Sequence, residues 1–297
     1  QGGCLSCLMW SLVVDDLLDE LNKMGGVWAQ GYADDIVIYV TGKFANTVTE
    51  ITRLAVKKAE QWCVKVGLSV NPAKTAVVPF TRQRKNELRP LSIFNALLGF
   101  ERQVKYLGVI LDSKLTWNAQ IDSVVDKARK AFWACRRMVG SNWGLKPAMT
   151  SWLYTQVILP RISYGSIVWW HKTKQKKTKQ ILGGLQRMAS VATTGAMRTT
   201  PGAALDVLLD WTPLHLKIEE AATVAAFRLA SAGMWVDHYK LTGHTELNRR
   251  LLRDQPFWGD SDYIVPTYNF SHCFSVVIKD RTEVVDEDYE DNGNRII

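Results

Sequence analysis

Residues 27–40 read Val27-Trp28-Ala29-Gln30-Gly31-Tyr32-Ala33-Asp34-Asp35-Ile36-Val37-Ile38-Tyr39-Val40. Val27 to Tyr32 and Ile36 to Val40 are short apolar, β-branched and aromatic runs with only Ala33, Asp34 and Asp35 between them, a pattern that predicts a tight hairpin. Two adjacent carboxylates at the tip of an apolar hairpin repel each other and lose hydration, which a divalent cation offsets. Side chains of consecutive strand residues point to opposite faces, so only a turn lets both approach one ion. Oxygen donors suit magnesium, which binds through one or two carboxylates plus substrate phosphates, the arrangement that two-metal phosphoryl transfer needs. Aspartate also favours turns for conformational reasons, so a structural turn is the competing reading. The apolar strands on both sides weigh against it, because a plain surface turn rarely needs two fully apolar flanks.

Outward from the hairpin the periodicity is mixed. Upstream, Leu5, Met9, Leu12, Val13, Leu17 and Leu21 recur at helical spacing up to Met24-Gly25-Gly26. Downstream, Thr47-x-x-Glu50 predicts a capping box, and Val48, Ile51, Ala55, Ala59 and Trp62 continue a helix that ends near Gly67. Leu68 to Phe80, broken by Asn71-Pro72, reads as strand, loop and strand; residues 82–90 read as an exposed loop. Leu98 to Phe100 and Tyr106 to Leu111 read as a second hairpin. From Asn118 the pattern is all helical, with Ile121, Val124, Val125, Ala128, Phe132, Cys135 and Met138 on one stripe, and helices also fit 147–170, 178–193, 202–209 and 213–234. Beyond about Trp235 a loop-rich, acidic-ended tail is expected. The fold class is α+β, with a boundary near residue 113.

Composition narrows the partners. The chain has 297 residues, 37 Lys plus Arg, 29 Asp plus Glu and 47% apolar side chains, enough to bury a core and too apolar for disorder. Its five cysteines, at 4, 7, 63, 135 and 273, are odd in number and scattered, which excludes a disulfide scaffold and a structural zinc module. No run of about 18 apolar residues occurs, so no membrane-spanning helix is expected. The first residue, Gln1, follows no charged segment and apolar stretch of a signal peptide, and the chain reads as an internal piece of something longer, intracellular in the nucleus or cytoplasm. Between Lys127 and Leu205 stand 14 Lys and Arg and no acid, whereas Asp280 to Ile297 holds seven acids and two arginines. Trp133, Trp143, Trp152, Trp169, Trp170, Tyr154 and Tyr164 interleave the basic block, which suits a nucleic-acid backbone; a solvated basic face over a Trp-rich core is the alternative. Lys172, Lys174, Lys176, Lys177 and Lys179 also match a nuclear-import patch, a weak motif.

Four segments then carry a resemblance: Gln1-Gly2-Gly3-Cys4-Leu5-Ser6 before a helix, Tyr32-Ala33-Asp34-Asp35, Gly67-Leu68-x-x-Asn71-x-x-Lys74-Thr75, and Tyr106-Leu107-Gly108-Val109. Their order and spacing resemble the palm of reverse transcriptases, in particular those of non-LTR (LINE-type) retrotransposons. More loosely, they resemble insect elements whose polymerase is followed by an RNase H domain. Trp117 to Trp170, Arg187, Thr193-Thr194-Gly195-Ala196 and Arg198-Thr199-Thr200-Pro201 resemble, less specifically, the region between those two domains. The resemblance implies a partial polymerase palm (antiparallel sheet with packed helices) at 1–112, a basic helical thumb at 113–200, and a helical connection with the acidic tail at 201–297.

It further implies an RNA-directed DNA polymerase, a nucleotidyltransferase using Mg2+ or Mn2+ at Asp34 and Asp35, with an RNA template, a DNA primer and a dNTP as partners. Tyr32 would pack under the primer end, Lys74 would protonate the leaving pyrophosphate, and Gln1, Gly2 and Gly3 would touch the templating pair and incoming nucleotide. Tyr106, Leu107 and Gly108 would form the primer grip. Bland readings stand beside these: an exposed lysine, a flexible helix start and a core hairpin. Cys4 and Cys7 depart from the family, which carries a small aliphatic residue and a proline there. The family's further metal-binding aspartate and its fingers lie upstream of Gln1, and its RNase H lies downstream of Ile297, so this chain alone is expected to bind nucleic acid and polymerise poorly. A non-catalytic nucleic-acid-binding remnant of a retrotransposon is the second reading. A generic metal-dependent nuclease fits less well, because no His or Glu cluster completes a site.

Overall fold

The computed structural model describes residues 5–81, 88–137, 145–234 and 242–253, all within one contact unit, Gln1–Gln255. The first helix, α1 (Ser6–Asn22), buries Val14, Leu17 and Leu21; of the predicted stripe only Leu17 and Leu21 are buried, while Leu5, Met9, Leu12 and Val13 are exposed and Val14 takes the inner position instead. The chain then forms the hairpin β1 (Val27–Tyr32) and β2 (Asp35–Val40), antiparallel in the register Val27↔Val40 to Tyr32↔Asp35. Helix α2 (Ala45–Val66) ends at Gly67, whose φ of +71° is the left-handed C-terminal geometry that glycine adopts without steric cost. Ala55, Ala59, Trp62 and Cys63 of α2 close the core over α1 and Val27.

The predicted capping box does not form. The Val48 N–H already bonds to the Phe44 carbonyl at 3.0 Å, so the helix starts at Ala45 and Thr47 falls inside its first turn. Glu50, freed from capping, pairs with Arg53. Leu68 to Phe80 likewise does not form two strands. Asn71 caps a short 3-10 turn, Pro72–Lys74, and beyond it only Val77 bridges to Phe100. Pro72 and Pro79 withhold ladder donors from the segment.

Instead of one second hairpin there are two: β3 (Leu91–Ile93) with β4 (Ala96–Leu98), and β5 (Gln103–Tyr106) with β6 (Val109–Asp112). Tyr106 ends the first strand of its hairpin, and the turn is Leu107-Gly108. Their φ values of 44° and 86° are the two left-handed positions of a type I′ turn. The three hairpins are separate two-stranded sheets.

From Asn118 the described elements are helical, as the periodicity predicts. In α3 (Asn118–Arg137) the stripe residues Ile121, Val124, Val125, Ala128 and Phe132 are buried; Met138 lies outside the described residues. The stretch predicted as one helix over 147–170 is segmented into α4 (Pro147–Leu153), a π-helical turn Tyr154–Ile158, α5 (Leu159–Ser163), α6 (Ser166–Trp169) and a 3-10 turn Trp170–Lys174. Pro160 has no N–H for the helical ladder, and the π turn immediately before it absorbs the mismatch. Next come α7 (Lys176–Thr194), α8 (Gly202–Leu208) and α9 (Leu214–Ser231). A tenth helix, α10 (Thr242–Arg253), occupies residues expected to be loop and buries Leu247 and Leu251. The acidic end lies outside the described residues. The architecture is α+β, and among the described residues no helix is long and apolar enough to cross a membrane.

Candidate active site

Asp34 is the second residue of a two-residue turn, and Asp35 is already the first residue of β2, paired with Tyr32. The turn is shorter than the three residues expected. Ala33 takes a φ of +52°, which reverses the chain in two positions. Both carboxylates and Tyr32 are exposed.

Helix α1 holds this turn. Along α1, Val14 and Leu18 approach β1 so closely that a Cβ on Gly31 would sit 3.3 Å from Leu18 Cδ1 and 3.5 Å from Val14 Cγ1. At the far end of the helix, Asn22 behaves as a strand neighbour: its Nδ2 donates to the Ala29 carbonyl at 3.0 Å and its Oδ1 accepts from the Ala29 N–H at 2.8 Å. Near the start of α1, the Trp10 indole Nε1 donates to the Ala33 carbonyl at 2.6 Å. The β5–β6 hairpin lies within electrostatic reach of Asp35. Burial, and after it the nearby Asp35 charge, push the Tyr106 phenol above its ordinary pKa, and the Tyr106 hydroxyl is buried with no hydrogen-bond partner among the described residues.

The Tyr106-Leu107-Gly108 turn is gripped from the helical region. Tyr164 donates its hydroxyl to the Leu107 carbonyl at 2.9 Å. A Cβ on Gly108 would lie 3.1 Å from Tyr164 Cε1, and one on Gly165 would lie 2.8 Å from Val109 Cγ2. Lys74 is exposed on its 3-10 turn, where the Asn71 Oδ1 accepts from the Ala73 N–H at 3.0 Å. Among the described contacts none joins Lys74 to Asp34 or Asp35. Gln1, Gly2 and Gly3 lie outside the described residues.

As hard oxygen donors, free of ion pairs and hydrogen bonds among the described contacts, Asp34 and Asp35 fit a divalent cation as two of its ligands. No group of three His, Cys, Asp or Glu forms a cation-sized cluster among the described residues, so among them Asp34 and Asp35 have no third such side chain beside them. The basic block is only partly open. Lys127, Arg129, Lys146, Arg161, Lys176, Lys177, Lys179 and Arg198 are exposed, whereas Lys172, at 8% exposure, is buried. Arg187 gives its guanidinium to the carbonyls of Thr200 and Arg198. Trp169 and Trp170 are core, while Trp133, Trp152 and Tyr164 are exposed.

The stretch that carries this geometry is the one that matches a known family: residues 1–111 fit the family described as Reverse transcriptase (RNA-dependent DNA polymerase). Residues 1–111 are thus similar to reverse transcriptases. The likeness to relatives runs further along the chain. At 28% identity over 225 residues (73% of this chain, 66% of that protein), it is similar to the Retrovirus-related Pol polyprotein from type-1 retrotransposable element R1 of Nasonia vitripennis. At 24% over 216 residues (73% and 21%) it is similar to the putative 115 kDa protein in type-1 retrotransposable element R1DM of Drosophila melanogaster. At 30% over 149 residues (48% and 15%) it is similar to the RNA-directed DNA polymerase from mobile element jockey of Drosophila funebris. The chain thus spans less than two thirds of the length of these curated relatives. No solved structure matches it. These findings agree with the likeness to non-LTR retrotransposon reverse transcriptases drawn from motif order. Motif reading gave no role at the site to Trp10, or to Tyr164 beyond the basic block, yet these side chains shape the Asp34–Asp35 turn and the β5–β6 hairpin. The available signal for Trp10 was chemical: a half-buried indole N–H needs an acceptor.

Proposed function

We propose that the chain is a segment of a non-LTR retrotransposon's RNA-directed DNA polymerase, in which a primer 3′ hydroxyl attacks the α-phosphate of a dNTP opposite an RNA template. The observation that carries this reading is the pair of open carboxylates, Asp34 and Asp35, on a turn held by α1 within the reverse transcriptase match. Asp34 and Asp35 would hold Mg2+ or Mn2+, which when bound supplies Lewis-acid stabilisation of the attacking and leaving oxygens. Tyr32, exposed and paired with Asp35, is the surface on which the primer end rests. Tyr106, Leu107 and Gly108 grip the primer, Gln1 to Gly3 meet the templating pair, and Lys74 donates a proton to the leaving pyrophosphate. The exposed cations of residues 113–200 hold the template and primer backbone, as a thumb following the palm of residues 1–112.

Two cations need more oxygen ligands than two aspartates and substrate phosphates provide, so the chain alone is expected to bind primer and template and to extend the primer only slightly. Primer extension on an RNA template, with Mg2+ and with Mn2+, tests this. Whatever product forms should vanish in Asp34→Asn and in Asp35→Asn; product that persists in either variant refutes the assignment.

A further inference from the structure

We infer that Trp10 is a positioning residue for the Asp34–Asp35 pair, acting by locking one peptide plane of the turn. The inference rests on the proposed cation site. Hairpin turns of two residues come in two forms, one with positive φ at both positions and one with positive φ at the first only; they differ by a flip of the peptide unit between the two turn residues. In this chain that unit joins Ala33 to Asp34. Ala33 has φ of +52°, whereas Asp34 is absent from the residues of positive φ, so the turn is in the second form.

Flipping the central peptide would move Asp34 to the left-handed region, which aspartate tolerates better than most residues. Such a flip leaves the Cα and Cβ atoms nearly in place but swings the Ala33 carbonyl oxygen towards the Asp34 Cβ, where it crowds the side chain and changes the rotamers open to the carboxylate. The second form favours glycine at its first position and this chain has Ala33 there, so the local sequence does not select the form observed. The oxygen of that same central peptide is the Ala33 carbonyl, and it accepts the Trp10 Nε1–H at 2.6 Å. A flip turns this oxygen away from Trp10 and breaks the bond. Because α1 is fixed to β1 independently, through Gly31 and the paired bonds of Asn22 with Ala29, the indole is a rigid post rather than a follower of the turn.

The Ala33 carbonyl is exposed, so water replaces the indole when it is removed, and Trp10→Phe should fold. The test is Mn2+ binding to the full 297-residue chain, read by water-proton relaxation, with far-UV circular dichroism and thermal melting alongside. Asp34→Asn and Asp35→Asn should abolish specific binding. Trp10→Phe should weaken it about fivefold, the worth of one typical hydrogen bond, with spectrum and melting temperature near wild type. If Trp10→Phe lowers the melting temperature sharply, benzothienylalanine at position 10, which keeps the ring shape and lacks the N–H, takes its place. Wild-type Mn2+ affinity in the donor-lacking variant, with binding lost in the aspartate variants, overturns the role of Trp10 and leaves the cation site standing. Unchanged binding in the aspartate variants overturns the cation site and the role of Trp10 with it.

Discussion

Asp112 shows how much one carboxylate can settle. It closes the passage from β6 into α3, where Leu115 and Trp117 both take positive φ (50° and 64°), a geometry that costs non-glycine residues on the order of 1 kcal/mol each. Its Oδ1 accepts from the N–H groups of Thr116 at 2.9 Å and Lys114 at 3.2 Å, and its Oδ2 accepts from the Trp117 N–H at 2.8 Å. Partial burial pushes its carboxyl up, but these donors outweigh it and hold the pKa below the ordinary carboxylate value. A folded pKa below the unfolded one contributes stability that is present above the unfolded value and is lost as pH falls through the folded value. Asp112→Ala should therefore cost about 2 kcal/mol near neutral pH. In urea unfolding, the gap between wild type and variant should shrink as the pH drops below about 4. A gap that is constant across that range contradicts this account.

The β5–β6 hairpin depends on a clasp that its own sequence does not contain. Its type I′ turn is completed by Tyr164, 57 residues away, which holds the Leu107 carbonyl. Gly108 is required twice, by its φ of +86° and by the 3.1 Å that a Cβ would leave to Tyr164. Gly108→Ala is expected to destabilise the chain by about 2 kcal/mol, as left-handed strain and the close contact combine. Tyr164→Phe, which keeps the ring and loses one hydrogen bond, should cost about 1 kcal/mol. Thermal unfolding of the two variants checks both the order and the sizes. Equal losses would mean that the hydroxyl, and not the close approach of the ring, does most of the clasping.

Across the chain, the basic block divides into cations that hold the fold and cations open to a partner. Arg187 ties α7 to the Arg198–Thr200 segment through two carbonyls. Just before α7, Lys174, together with Arg250 of α10, lies over the Trp170 ring, at 5.0 and 5.1 Å, and the two share Glu246, which both cations hold below the ordinary carboxylate pKa. Those contacts fasten α10 to the helical region. Lys176, Lys177 and Lys179 have no such duty among the described contacts. Each cation that neutralises a phosphate adds about 0.9 to the fall of log K with log salt. Replacing these three lysines by alanine should flatten the salt dependence of primer–template binding by about two to three units in slope, as measured by fluorescence anisotropy. Arg187→Ala should instead lower the melting temperature and leave the slope near its wild-type value.

Amphipathic periodicity is a local property, and it was enough to define α1, α2, α3, α7 and α9 and the hairpin around Asp34 and Asp35, because each buries one stripe against whatever lies next to it. The order of short motifs along the chain carried the resemblance to reverse transcriptases in the same local way. The rest needed tertiary contacts. Thr47 reads as a cap until the Phe44 carbonyl takes the Val48 N–H one turn early, and residues 68–80 read as strands until Pro72, Pro79 and the lack of a neighbouring ladder leave a single bridge. Residues 242–253 read as loop because their apolar residues are few, yet Leu247 and Leu251 bury against the helical region and Arg250 finds Trp170 and Glu219. At the site, the sequence alone determined the two carboxylates and the turn that carries them. Their setting depends on an indole 23 residues upstream that holds the turn's carbonyl, and contacts across such separations exist only once the chain has packed.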